Sequence, residues 1–336
     1  MGQSPGVILL TGLTIVAASG ASARGQARTP APGQWDQIRP LFTLVEKAAA
    51  GQSPPSDVKL RWQCDFIDAD AGVVFVPFTL EIEQGHFTSF PVAMYVRVVL
   101  RGAPAPAPGP KDPLAHYPFE DASVIERLTT RRITRAFTAP PGDYDVYVAL
   151  IEKATIDTPK PSTAVIKQAV TVPDLKSGLA TSSIIVADRI EIDASNRRSS
   201  FEEQLDEPYT LWGNRITPAL RRSFSPREKL SVIFLVYRAG VAADDKPDVE
   251  VAYTFHRRTD GGEIPFTRTK PERFNAETLE PSFSLAAGDL IIAGQEMPLA
   301  RFPASDYRLE ILVTDRTTGR TLPRNVYFAV SADKDQ

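Results

Sequence analysis

The chain has 336 residues, 43% of them apolar, with 29 Pro, a single Cys and a formal net charge of −3. That length fits about two domains of roughly 100–200 residues, with enough apolar residues for each to bury a core. Lys and Arg are dispersed, which excludes the concentrated basic patch that nucleic-acid binding needs. Proline at strand ends and turns points to a loop-rich β protein.

Residues 1–23 have the pattern of an export signal. Val7–Ala18 is an uncharged apolar run, and Ala21-Ser22-Ala23 follows as an A-x-A cleavage site. The run is too short to span roughly 30 Å of hydrocarbon, so no stable membrane span is expected once the signal is removed. Met1–Gly6 carries no Lys or Arg, unlike a usual n-region. Residues 24–56 read as a linker with a short helix. The spacer Thr29–Gln34 leads to Trp35, Ile38, Phe42 and Val45 at helical spacing, with Leu41 and Leu44 widening the apolar face. Pro40 belongs in a first turn, which places the helix start near Arg39. The helix is expected to pack on the first domain or to reach a partner, and SPPS at Ser53–Ser56 separates it from the first strand.

A first β-domain is expected over residues 57–174. Leu60–Ile67 and Val73–Glu83 read as strands, joined by Asp68–Gly72 (DADAG). That loop resembles a calcium site only superficially. A helix–loop–helix site needs a ligand where Gly72 stands and a Glu where Thr79 stands, so a polar turn is expected. Cys64, alone in the chain, has no disulfide partner and reads as a small core hydrophobe. Ala93–Leu100 is another alternating strand. The repeated prolines of Gly102–Pro113 preclude sheet pairing and impose an extended loop. Val124–Phe137 then leads into FTAPPGDYDVYVALIE at Phe137–Glu152.

A second domain is expected over residues 175–332. LATSSIIVADRIEI opens it with a β-branched run. Ser199–Glu207 is an acidic cluster read as a solvated surface loop, and Trp212 is expected to be buried. Leu230–Tyr237 and Val249–His256 are strands. Thr259–Gly262 (TDGG) is a hairpin turn with glycines where positive φ is needed, and Ile264–Thr269 returns from it. FPASDYRLEILVTD at Phe302–Asp315 follows, then the turn Arg316–Gly319 and a last strand, Leu322–Val330.

Phe137–Glu152 and Phe302–Asp315 are one sentence written twice. Each has a Phe, a Pro-containing turn, an Asp-Tyr pair and an alternating strand that ends in an acid. A tyrosine opening a strand after such a turn is what a tyrosine corner requires: the ring packs at the core edge and the hydroxyl bonds the backbone upstream. Tyr144 and Tyr307 hold that place, and P-G-D-Y-x-V-x-V resembles the penultimate strand of fibronectin type III and other disulfide-free immunoglobulin-like domains. The resemblance implies an all-β chain of two tandem immunoglobulin-like antiparallel sandwiches, with the short helix ahead of them. From TSSIIVADRIEI to the closing hairpin, the chain also resembles a group of exported bacterial proteins to which no active site is assigned.

The sequence carries no recognisable catalytic, cofactor-binding or metal motif, and no cofactor is expected. His86, His116 and His256 lie in distant segments without metal-ligand spacing. No phosphate-cradling glycine loop, nucleophile elbow or H-E-x-x-H helix is present. The Arg-Arg pairs at 131–132, 197–198, 221–222 and 257–258 read as solvated faces balanced by acids. The expected function is a non-catalytic exported binding or assembly module, periplasmic or extracellular, with a protein partner and no nucleic acid. The alternatives are a carbohydrate-binding module using Trp35, Trp62 or Trp212, and an enzyme with dispersed carboxylates.

Overall fold

A computed structural model describes residues 30–69, 72–104, 114, 117–128, 130–157, 159–192, 201–211, 213–242 and 245–332. The export signal, most of the proline tract, Arg197-Arg198, Trp212 and His116 lie outside the described residues.

The chain is mostly β, with antiparallel sheets in two compact units. The first unit takes residues 30–174 and 201–208, and the second takes 175–192 and 209–332. In the first, helix α1 (Trp35–Ala49) precedes β1 (Lys59–Cys64), β2 (Ile67–Asp68), β3 (Val74–Gln84), β4 (Val92–Leu100), β5 (Phe119–Ile125), β6 (Arg132–Ala139), β7 (Gly142–Glu152) and β8 (Thr163–Val172). In one sheet β3 pairs with β1 and β2 and also with β6; the other sheet has the order β5-β4-β7-β8. Rings of Phe78 and Phe137 from the first sheet and Phe119 from the second meet at centroid distances of 6.3 and 6.0 Å, which places the core between the layers.

The second unit contains β9 (Ala180–Thr181), β10 (Ile185–Ile192), β11 (Thr210–Leu211), β12 (Asn214–Pro218), β13 (Ser223–Phe224), β14 (Lys229–Tyr237), β15 (Val249–Thr259), β16 (Gly262–Arg268), β17 (Glu272–Phe274), β18 (Ile291–Pro298), β19 (Ser305–Asp315) and β20 (Arg320–Val330). Its sheets run β11-β12-β10-β14-β18 and β13-β20-β19-β15-β16, with β9 on β14 and β17 on β15. One core joins Val232, Phe234 and Ile291 of the first sheet to Phe255, Leu309, Ile311 and Phe328 of the second. The arrangement is sandwich-like in both units. Among the described strands only the short β13–β20 pairing is parallel.

The doubled sentence occupies equivalent strands. β7 lies between β4 and β8, and β19 lies between β15 and β20. The Tyr144 hydroxyl donates to the Pro140 carbonyl at 3.0 Å, and that of Tyr307 to the Pro303 carbonyl at 2.7 Å. Both rings are buried.

Three local expectations change. α1 begins at Trp35 and carries Pro40 inside it. A 3-10 turn at Pro32–Gln34, closed by Gln34 Oε1 accepting from the Ala31 amide, starts the helix before the proline. Burial of Ile38 holds that first turn, while Pro40 stays on the exposed side. The acidic segment at 199–207 contains a helix, α2 (Phe201–Asp206), rather than only a solvated loop. It packs on β6, with Leu205 buried and Asp206 paired to Arg135 at 3.3 Å. In the Thr259–Gly262 turn only Gly262 takes a positive φ, +113°. Thr259 Oγ1 closes that turn by donating to the Gly262 carbonyl at 2.7 Å.

Tyr144→Phe and Tyr307→Phe keep each ring and remove one buried hydrogen bond, so each is expected to lower stability by about 1 kcal/mol. Equilibrium unfolding in urea measures it; parental stability in both variants refutes the corner assignment.

Candidate functional site

The residue that ends each Asp-Tyr strand stands eight positions after the tyrosine in both copies, Glu152 and Asp315. Each is almost wholly buried, at 1% and 0% exposure. Glu152 Oε2 accepts from the amides of Thr88 at 2.7 Å and Ser89 at 3.1 Å, and Oε1 accepts from the Ser162 amide at 2.8 Å. Asp315 Oδ2 accepts from the Gly240 amide at 2.9 Å and the Thr318 hydroxyl at 2.6 Å. Its Oδ1 accepts from the amides of Thr317 at 3.0 Å and Thr318 at 3.2 Å. Thus in each unit one carboxylate ties together two loops at the end of the sandwich away from the tyrosine. In the first unit these are the β3–β4 and β7–β8 loops; in the second, the β14–β15 and β19–β20 loops. Burial opposes the charged form of both acids, but the donors outweigh it and hold both below their ordinary values.

These loops present apolar side chains to solvent. Ile156, in the β7–β8 loop, is 97% exposed, and Val241, in the β14–β15 loop, is 47% exposed. The β7–β8 loop also carries Lys153, Lys160 and two prolines, Pro159 and Pro161. Its ends are fixed by Glu152, so the isoleucine is displayed from an anchored frame.

A second cluster lies under α1. Ile38, Leu41, Leu44 and Val45 cover Ala93, Tyr95, Tyr147 and Ala149 on the outer face of the β4–β7 pair. Within this apolar contact Arg97 is buried. Its Nε donates to the Tyr95 hydroxyl at 2.9 Å, and its Nη1 donates to Glu46 Oε1 on the helix at 2.7 Å. The guanidinium lies 4.3 Å from the Tyr117 ring centroid, and the Tyr95 hydroxyl donates to buried Glu120. Burial pushes the Tyr95 phenol up. Arg97 is bracketed by two carboxylates, and the cluster reads as a lock for α1 rather than as an acid–base pair.

In the second unit, Glu272 on β17 points inward. It accepts from the Tyr253 hydroxyl at 2.6 Å and from the Gly294 amide of β18 at 3.3 Å, so it bridges the two sheets at their open edge. Burial raises its pKa above the ordinary 4.5, against the pull of those two donors.

The other sequence candidates are dispersed. Cys64 is half-buried in β1, and burial pushes its thiol up to about 12. Trp62 stacks on Phe78 at 4.3 Å, and Trp35 packs near Phe42 at 6.5 Å. His86 is exposed, while His256 lies 3.6 Å from Glu310. Among the described residues no group of three His, Cys, Asp or Glu side chains is placed to hold a metal ion. Arg132 pairs with Glu81 at 3.7 Å and Arg221 with Glu228 at 2.5 Å. Arg257 departs from the expected balance: it is half-buried, and its Nε has no partner among the described residues. Its place inward of β15, paired with Tyr307, explains that burial. The pinning acids were visible only as the last letter of the repeat, because their partners lie in loops remote in sequence.

No family model and no curated protein matches the chain. Among solved structures, red sea bream transglutaminase is 8% identical, with 85% of this chain and 33% of that one covered and a TM-score of 0.20. Escherichia coli alpha-2-macroglobulin activated by porcine elastase is 10% identical, with 83% and 24% covered and a TM-score of 0.23. A Salmonella alpha-2-macroglobulin mutant is 10% identical, with 83% and 17% covered and a TM-score of 0.20. The chain spans a third or less of each. Overlap at these TM-scores transfers neither a fold nor an activity.

Two pH predictions follow from the acids. Glu152 and Asp315 are lowered in the fold, so their contribution is full above their ordinary values of 4.5 and 3.8 and is lost as pH falls through the folded values. Glu152→Gln and Asp315→Asn should each cost about 2 kcal/mol at pH 7 and less at pH 3. Denaturant midpoints across that range test it, and a cost independent of pH would sink the pinning account. Glu272 has the opposite sign. Its contribution is full below 4.5 and lost as pH rises through its raised value, so Glu272→Gln should gain stability over the parent at pH 8 relative to pH 4. Parallel thermal melts of the two proteins decide it; a constant difference between them overturns it.

Proposed function

We propose that this chain is an exported, non-catalytic binding or assembly module of two tandem immunoglobulin-like sandwiches. It acts on a protein partner in the periplasm or outside the cell. The domain type is supported by the two tyrosine-to-proline bonds and by the matching placement of β7 and β19 in their sheets. Export is supported by the apolar run and A-x-A site at the N-terminus. No described helix is long and apolar enough to cross a membrane.

The carrying observation is Ile156, fully exposed on a loop whose base is fixed by a buried carboxylate. Leaving such a side chain in water gives up about 2 kcal/mol that a fitting pocket would recover. A preorganised loop limits the ordering cost of recovering it. Tyr327 is the one exposed aromatic among the described residues, which offers a sugar ring no stacking platform. The most buried pinning carboxylates have their oxygens occupied by amides, which favours binding over acid–base chemistry.

The test is comparative capture from native envelope extracts with the mature chain and its Ile156→Asp variant as baits. A protein retained by the parent and lost with the variant, at unchanged thermal stability, is expected. Identical sets of retained proteins would refute the loop-tip reading.

A further inference from the structure

Along β20, Arg320, Leu322 and Arg324 pair with Asp315, Val313 and Ile311 of β19, on the side of the strand that carries Val326 and Phe328, with Arg320 at its exposed end. Leu322 packs on the core there. Arg324 is half-buried. Its Nε donates to Thr181 Oγ1 at 2.9 Å and its Nη1 to the Pro323 carbonyl at 3.2 Å, while Nη2 has no acceptor among the described residues. Thr181 is itself buried, so it fixes the guanidinium plane. Arg320 reaches the same segment. Its Nη1 lies 3.3 Å from where a Cβ on Gly178 would stand, and Gly178 has φ +105°.

Neither arginine has a carboxylate partner among the described residues. Others on the molecule do: Arg97 meets Glu46 at 2.7 Å, Arg221 meets Glu228 at 2.5 Å, and Arg308 meets both Glu263 and Glu310 at 2.7 Å. A half-buried guanidinium without an anion is destabilising, because it loses hydration and gains no counter-charge. Burial accordingly pushes Arg324 down from its usual range. A planar, oriented fork with a free nitrogen is the geometry that takes a carboxylate.

We propose that Arg320 and Arg324, set along residues 178–181, form a receptor for the carboxylates of an acidic peptide segment. This site is separate from the Ile156 loop, and its failure leaves the loop reading untouched.

The experiment measures binding of tetraglutamate and of inorganic phosphate to the full chain by calorimetry at one ionic strength, with thermal melts alongside. Tetraglutamate should bind and raise the melting temperature. Arg324→Gln should weaken that binding about tenfold, the loss of one charge-assisted fork. Arg324→Lys should fall between them, and Arg301→Gln, an exposed arginine in the β18–β19 loop, should leave binding within about twofold of the parent. Without peptide, Arg324→Gln should melt no lower than the parent, which separates a binding defect from a folding defect. The proposal is overturned if the parent does not bind tetraglutamate, if phosphate binds more tightly than the peptide, or if Arg324→Gln and Arg301→Gln weaken binding equally.

Discussion

The structure depends on how one strand in each unit is held at both ends. At its start a tyrosine hydroxyl bonds the carbonyl of a proline four residues back, fixing where the chain enters the sheet. At its end a buried acid gathers amides from two loops that the sheet alone would not bring together. A buried carboxylate is costly unless its lone pairs are filled, and backbone amides at 2.7–3.2 Å fill them here. With no disulfide possible within a chain that has one cysteine, these polar pins and the packed core define the loop geometry.

The two units spend the same scaffold differently, and the register shows why. Where the first unit sets Tyr95 beside Ala149 and Arg97 beside Tyr147, the second sets Ala252 beside Leu312 and Thr254 beside Glu310. The first pair of positions makes an apolar face with one buried cation, and α1 covers it, with Glu46 answering Arg97. The second makes a mixed face of Ala252, Thr254 and Glu310 with one large apolar side chain, Leu312, and it stays part-exposed. A lone leucine makes no apolar stripe for a helix to bury against, and the four paired side chains differ between the units while the strand pairing is the same.

Much of the scaffold was legible in the sequence because the relevant signals are local. The Asp-Tyr sentence, the turns at Thr259–Gly262 and Arg316–Gly319 and the apolar spacing of α1 are each written within about 15 residues. The pins were not legible, because Glu152 finds its donors at Thr88, Ser89 and Ser162, and only the fold makes them neighbours. α2 was misread for a related reason. Its charges suggest a solvated segment, whereas the burial of Leu205 against the first unit decides its structure. Local composition reports what a segment could tolerate, and packing selects among those options.

The charged groups divide by whether the fold answers them. Glu152 and Asp315 are answered by amides, Arg97 by Glu46 and Glu120, and Arg308 by two glutamates. Their energy goes into holding elements in place, and mutation there reports on folding. Ile156 in solvent and Arg324 in a part-buried site without an anion are the reverse: the fold presents them and leaves them unsatisfied. Satisfied groups explain how the loops and sheets are held. Unsatisfied ones set what a partner must supply, an apolar pocket for the isoleucine and a carboxylate for the arginine. Since they stand on separate units, the two demands can be examined one at a time.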